Sequence, residues 1–167
     1  MRCHKFLIAF GANIPSRVGA PEKTIEAARA TLEDNSVRIR RMSSLYETPA
    51  WPDPNDPFFI NAVAAGETSL NPGELLRRFH ETETAYGRTR SAPNAPRTLD
   101  LDLLDFDGRI EEGPPALPHP RMERRAFVIV PLAEVAPAWR HPLTGRTAAA
   151  LLSSLSAEER AAVRKRG

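Results

Sequence analysis

The segment "NAPRTLDLDLL", residues 94–104, sets two aspartates, Asp100 and Asp102, between leucines. Alternation with period two is that of a β-strand, in which residues i and i+2 share a face. Leu99, Leu101 and Leu103 then face one side and both carboxylates face the other. Aspartate is a poor strand former, and like charges about 6–7 Å apart on one face repel each other. Taken alone, two acids on a strand fit a solvent-facing surface best. Their neighbours change that balance. Arg97 precedes Asp100 by three residues, and "YGRTR" offers Arg88 and Arg90 just past a helix end. Carboxylates that hold a hard divalent cation and guanidinium groups that grip phosphate are the parts phosphoryl transfer uses.

The elements that must position these groups follow along the 167-residue chain, a length suited to one domain over residues 1–167. "HKFLIAFGAN" gives a buried strand, His4 to Phe10, stopped by Gly11. Residues 21–34 carry Ile25, Ala28 and Leu32 at helical spacing, with Pro21 in the first turn. Residues 36–48 are β-prone and predict one strand. "PAWPDPNDP" is a loop, since four prolines in nine residues exclude regular structure. "FFINAVAAGET" is a second long strand. Asn71, Pro72 and Glu74 then open a helix with the stripe Leu75, Leu76, Phe79 and Tyr86, ended by Gly87. After the aspartate strand, a turn is expected at Gly108 and a short helix or strand running into Pro131. A small helix at 147–155 and a frayed basic tail at 156–167 complete the chain.

The order β-α-β-β-α-β, with no Gly-rich phosphate fingerprint after the first strand, predicts an α+β ferredoxin-like sandwich. It would be an antiparallel sheet with helices packed on one face. Past Leu104 the alternation loses phase, so Asp105 and Asp107 fall on the opposite register from Asp100 and Asp102 and read as turn-forming. The formal charge of +2 does not by itself mark a nucleic-acid binder. Only Lys5, Lys23 and Lys165 of the 23 basic residues are lysines, the rest being arginines. The single cysteine, Cys3, excludes internal disulfides and multi-cysteine zinc sites. "FLIAF" is too short for a membrane span or a signal-peptide core. A cytoplasmic monomer with no membrane or nucleic-acid partner is the simplest expectation.

Several segments, in order, carry a resemblance over residues 6–155: "GAN" after the first strand, "YETPAW", "FFINAV", "YGRTR", "RTLDLDLL" and "PHPRMERRAFVIVPLAEVAP". Together they resemble 6-hydroxymethyl-7,8-dihydropterin pyrophosphokinase of folate synthesis, a ferredoxin-like family. The resemblance implies transfer of pyrophosphate from ATP to the pterin hydroxymethyl group, with release of AMP. It also implies two Mg²⁺ ions on Asp100 and Asp102, and catalytic phosphate contacts from Arg88, Arg97 and Arg125. His80, Glu83, Arg90, Leu103 and His119 correspond to positions lining the nucleotide. Phe59 and Phe127 correspond to positions that stack on the pterin and Asn61 to one that reads its edge, while Thr48, Pro49, Ala50 and Trp51 form a loop beside it. Phe59 and Asn61, at i and i+2, share a strand face independently of any family.

Two departures stand out. "SAPNAPR" is one residue shorter than the usual segment and lacks its basic residue and tryptophan, with Arg121 or Arg124 as possible substitutes. Phe59 stands where tyrosine is more usual. The irregular segments 50–57 and 88–96 flank the expected site and are expected to close over it. Two rival classes remain: another metal-dependent transferase using a DxD motif, and an RNA-binding ferredoxin-like sheet. The second needs exposed aromatics on central strands, and here seven Phe and two Tyr are scattered along the chain.

Overall fold

A computed structural model describes residues 2–89, 93 and 95–166. Its sheet is antiparallel throughout. Strand β1 (His4–Ala12) lies at the centre, between β5 (Asp100–Phe106) and β4 (Phe59–Thr68). On its far side β4 pairs with both β2 (Val37–Met42) and β3 (Tyr46–Thr48), and β3 pairs with β6 (Arg164–Lys165). This is the α+β ferredoxin-like arrangement, with one strand of the simple pattern broken in two. The expected single strand over 36–48 breaks because Ser43 turns its hydroxyl and amide to the backbone of Val63. Strand β1 also runs through Gly11 rather than stopping there.

Helices α1 (Pro21–Leu32) and α2 (Pro72–Ala85) cover one face, as the periodicity implied. Ile25, Ala28, Leu32, Leu75 and Phe79 are buried there against Phe6, Ile8 and Phe10 of β1 and Leu101 and Leu103 of β5. Helix α2 begins with a full capping box. The Asn71 side chain accepts from the Glu74 amide, and Glu74 accepts from the Asn71 amide. It ends at Gly87, whose φ of 84° is left-handed. Gly87 N donates to Thr84 O and Arg88 N to Glu83 O, the Schellman pattern. That cap turns Arg88 back along the end of the helix.

The opposite face is not bare, contrary to the one-sided expectation. Helices α3 (Ala126–Val135) and α4 (Ala148–Ser154) pack on it, and Val128, Ile129, Leu132 and Leu151 bury Leu7, Val63 and Leu104. Helix α3 continues through Pro131 as a helix, because an almost wholly apolar sequence gains more from burial than the lost hydrogen bond costs. This second layer covers only half of the face. The other half, at the ends of β1, β4 and β5, stays open.

Strand β5 contains a β-bulge. Leu7 pairs with Asp105 but Ile8 with Leu103, leaving Leu104 as the surplus residue. Leu104 enters the second core and Phe106 returns to the first. Asp105 therefore lies on the α3 side near Trp139 and His141, the side that Asp100 and Asp102 also face, and not opposite them. Its Oδ2 accepts from Gly108 N at 3.2 Å, and Asp107 accepts from Lys5 N at 2.8 Å, so both acids do serve the turn. Among the described residues no strand pairs with β5 after that turn, and the next pairing is the isolated bridge Glu111–Leu117.

The tail is not frayed. Ser156 caps α5 (Ala157–Ala161), β6 joins the sheet edge, and Arg166 pairs with Glu22 and Glu47.

Candidate active site

Strand register fixes the floor of the open half-face. Gly11 pairs with Asn61 on one side and Asp100 on the other, and Ala9 pairs with Val63 and Asp102. One row therefore reads Asp100–Gly11–Asn61 and the next Asp102–Ala9–Val63. The central strand contributes only small residues, so its two neighbours can hold a ligand between them. A Cβ on Gly11 would stand 3.3 Å from Asn61 Oδ1 and 3.9 Å from both Asp100 Cβ and the Phe59 ring.

Over this floor opens a cleft of about 500 Å³. Phe59, Asn61, Thr48, Pro49 and Trp51 form one end of it, and Phe127 reaches in from the start of α3. Asn61 is almost fully buried, and its Nδ2 donates to Thr48 Oγ1 at 2.8 Å, which fixes its amide orientation. Trp51 is 73% exposed at the rim. Ala50 is buried and is not part of the cleft wall. At the other end stand Arg97, Asp100, Asp102 and Arg125, joined by Arg121 and Arg124.

A second cleft of about 290 Å³ lies behind the aspartates. His80, Glu83, Arg88, Leu103 and His119 line it, with Leu76 and residues 115, 116 and 120 completing the wall. Asp100 and Asp102 belong to both clefts. The sequence-predicted residues thus separate into two groups that meet at one pair of carboxylates. Arg90 lies outside the described residues.

The aspartate pair is held by arginines. Arg88 Nη1 donates to Asp100 Oδ1 at 2.7 Å, and Arg97 Nη1 to Asp100 Oδ2 at 3.2 Å. Arg88 also pairs with Glu83, whose carboxylate is nearly buried and accepts from Leu101 N at 2.9 Å. Glu83 therefore turns inward, tying α2 to β5. Burial raises its pKa, opposed by the Leu101 amide and Arg88. Asp102 is different: it accepts no hydrogen bond from any described residue, and Arg125 Nη1 stands 4.0 Å from its Oδ2. Burial, and then the charge of Asp100, push its pKa up to about 7. His119 is held neutral, its pKa lowered to about 4 by burial and then by Arg125 and Arg121.

Asn13, just past β1, is the main brace that motif spacing did not single out. Its Oδ1 accepts from Arg97 N at 2.8 Å, its own amide donates to Arg97 O, and its Nδ2 donates to Pro57 O at 3.2 Å. One buried side chain thereby joins the proline-rich loop to the arginine before the aspartates. The "GAN" triplet was the only trace of it in the sequence.

Among the described residues, no group of three or more His, Cys, Asp or Glu is arranged to hold a metal. Two carboxylates on one strand face still fit Mg²⁺. That ion takes one or two protein carboxylates and completes its shell with water and phosphate oxygens. The donors are hard oxygens, and Asp102 has acceptor capacity that the protein leaves unfilled.

The model described as 7,8-dihydro-6-hydroxymethylpterin-pyrophosphokinase (HPPK) matches residues 7–137. The 2-amino-4-hydroxy-6-hydroxymethyldihydropteridine pyrophosphokinase of Synechocystis sp. is 36% identical over 156 residues, 92% of this chain and 77% of that protein. The enzyme of the same name from Bacillus subtilis is 41% identical over 130 residues, 77% of this chain and 75% of the relative. Among solved structures, a Plasmodium falciparum HPPK-DHPS triple mutant superposes with a TM-score of 0.69 at 13% identity, a likeness of fold. The match covers 91% of this chain but only 44% of that longer one. With the fold, the paired clefts and these relatives in agreement, the chain belongs to the 7,8-dihydro-6-hydroxymethylpterin-pyrophosphokinase family of enzymes.

Proposed function

We propose that the chain transfers pyrophosphate from ATP to the hydroxymethyl group of 6-hydroxymethyl-7,8-dihydropterin, with magnesium, in folate biosynthesis. The products are AMP and the pterin diphosphate. The observation that carries this reading is the pair of clefts sharing Asp100 and Asp102 as a common wall. A two-substrate transfer needs such a join, with the donor on one side and the acceptor on the other.

The first cleft suits a flat ring. Phe59 and Phe127 offer aromatic faces, and Asn61, locked by Thr48, offers a donor and acceptor at the ring edge. The second cleft takes the nucleotide, with His80 and the neutral His119 beside it and Arg88 at its phosphate end. The substrate oxygen forms a bond to the β-phosphorus while the bond from that phosphorus to the α,β-bridging oxygen breaks. AMP leaves with the bridging oxygen, and the hydroxyl proton passes to solvent. No protein nucleophile is required. Arg88, Arg97 and Arg125 orient the phosphates and stabilise charge on the leaving group. Two magnesium ions, held by Asp100 and Asp102, would supply charge neutralisation for the polyphosphate. Trp51 at the rim is placed to cover the ring and exclude water.

AMP formation from ATP, reduced hydroxymethylpterin and Mg²⁺ tests the reading directly. A one-to-one yield of AMP and pterin diphosphate is expected. Release of ADP or inorganic pyrophosphate instead would assign the chain to another class of DxD transferase.

A further inference from the structure

Five arginines line the two clefts among the described residues, and three of them are engaged with carboxylates. Arg88 and Arg97 hold Asp100, and Arg125 stands beside Asp102. Arg121 and Arg124 are different. Both line the first cleft, both are exposed, and neither makes an ion pair with any described residue.

Their backbone is nonetheless fixed. Arg121 opens and Arg124 ends a single 3-10 turn, Met122–Arg124, whose Met122 is fully buried in the second core. From below, His141 Nε2 stands 3.6 Å from Glu123 Oε2. The His141 Nδ1 accepts from the amides of Leu143 and Thr144, which leaves Nε2 to carry the proton towards Glu123. The turn is thus a rigid mount with two unpaired cationic heads aimed at the ring-binding side.

The timing of charge in that cleft gives these heads a task. Before transfer, the alcohol in the first cleft is neutral, and the phosphates belong to the nucleotide in the second. After transfer, a diphosphate sits on the pterin, on the first-cleft side of Asp100 and Asp102. Resting on the function proposed above, we infer that Arg121 and Arg124 form a subsite for the diphosphate group of the product. The subsite makes the cleft discriminate between alcohol and product, and it holds the product after AMP has left. Arg121 is the nearer of the two to His119 in the chain, and its amide donates to His119 Nδ1 at 3.3 Å. Arg121 and Arg124 both border the first cleft and neither lines the second.

The test compares binding of the alcohol, of the pterin diphosphate and of inorganic pyrophosphate alone by calorimetry. The proteins are the wild type, Arg121→Ala, Arg124→Ala, the double variant and Arg124→Lys. Each alanine should weaken product binding about tenfold at low salt, and the pair roughly a hundredfold. Alcohol binding should stay within about twofold, which also reports an intact fold, and Arg124→Lys should recover part of the loss. Pyrophosphate should follow the product in order of affinity. Equal losses for alcohol and product, or no loss for either, would overturn the subsite. If the wild type makes AMP and binds both pterins yet the variants do not discriminate, only the subsite falls. If the wild type binds neither pterin, the functional reading falls with it.

Discussion

Replacing Arg88 by alanine probes the join between the two clefts most sharply. Arg88 pairs with the nearly buried Glu83 carboxylate, 3% exposed as a residue. Its removal leaves that carboxylate with the Leu101 amide, at 2.9 Å, and no ion-pair partner among the described residues. Breaking a buried pair by removing one partner costs about 3–5 kcal/mol, because a charge is left uncompensated. The Asp100 contact adds little, since Asp100 is a quarter exposed and keeps Arg97. The low end of the range applies, about 3 kcal/mol at pH 8. For a domain of this size that is a fall in Tm of roughly 6–12 °C.

The sign with pH is fixed by Glu83, whose carboxyl pKa burial already raises. Loss of Arg88 raises it further. A raised carboxyl contributes stability that is present below its unfolded pKa and is lost as pH rises through the folded one. The deficit of Arg88→Ala is therefore larger at pH 8 than at pH 5. Adding Glu83→Gln removes the stranded charge and should restore about 2 kcal/mol at pH 8. Urea unfolding of the four proteins at both pH values measures the cycle. A deficit below about 1 kcal/mol at pH 8, or one that ignores pH, would refute this account of how the wall is held.

Asp100→Ala and Asp102→Ala should each abolish turnover while leaving pterin affinity within about threefold, since ring contacts lie at the other end of the cleft; near-native turnover in Mg²⁺ from either would remove the metal assignment. Gly11→Ala places a methyl 3.3 Å from Asn61 Oδ1 on the cleft floor. Pterin affinity should fall about tenfold with stability changed by less than about 1 kcal/mol, read by ring fluorescence and thermal melting. Asp102, raised to about 7 by burial and Asp100, contributes stability that is complete below the ordinary carboxylate range. That contribution is lost as pH climbs to about 7. Melting curves of the wild type should drop relative to Asp102→Asn across that window and run parallel above it.

Much of this was legible in the sequence because it is written in local rules. The capping box at Asn71 and Glu74, the stop at Gly87 and the shared face of Phe59 and Asn61 need only short-range geometry. The two-cleft division was not legible, because it depends on which strands become neighbours. Gly11 reads as a strand terminator until register sets it between Asn61 and Asp100. The second helical layer was missed because α3 is apolar all round, which removes the periodic contrast that marks a face. Arg121 and Arg124 sit in an arginine-rich chain where composition hides placement. Ser43, which divides β2 from β3, acts through Val63, twenty residues away, and no window of sequence shows such a contact.

The surplus leucine in β5 has a consequence for how this strand can change. On the near side of Leu104 the even-numbered side chains point to the open half-face. Beyond it Asp105 shares that side and Phe106 fills the first core. Deleting Leu104 would keep every ladder partner and every facing, because Asp105 would then follow Leu103 in ordinary alternation. The cost would fall on the second core, which would lose a buried leucine. The surplus position thus lends a packing side chain to the α3 layer while leaving the aspartates at one end of the strand and Phe106 at the other where simple alternation would put them.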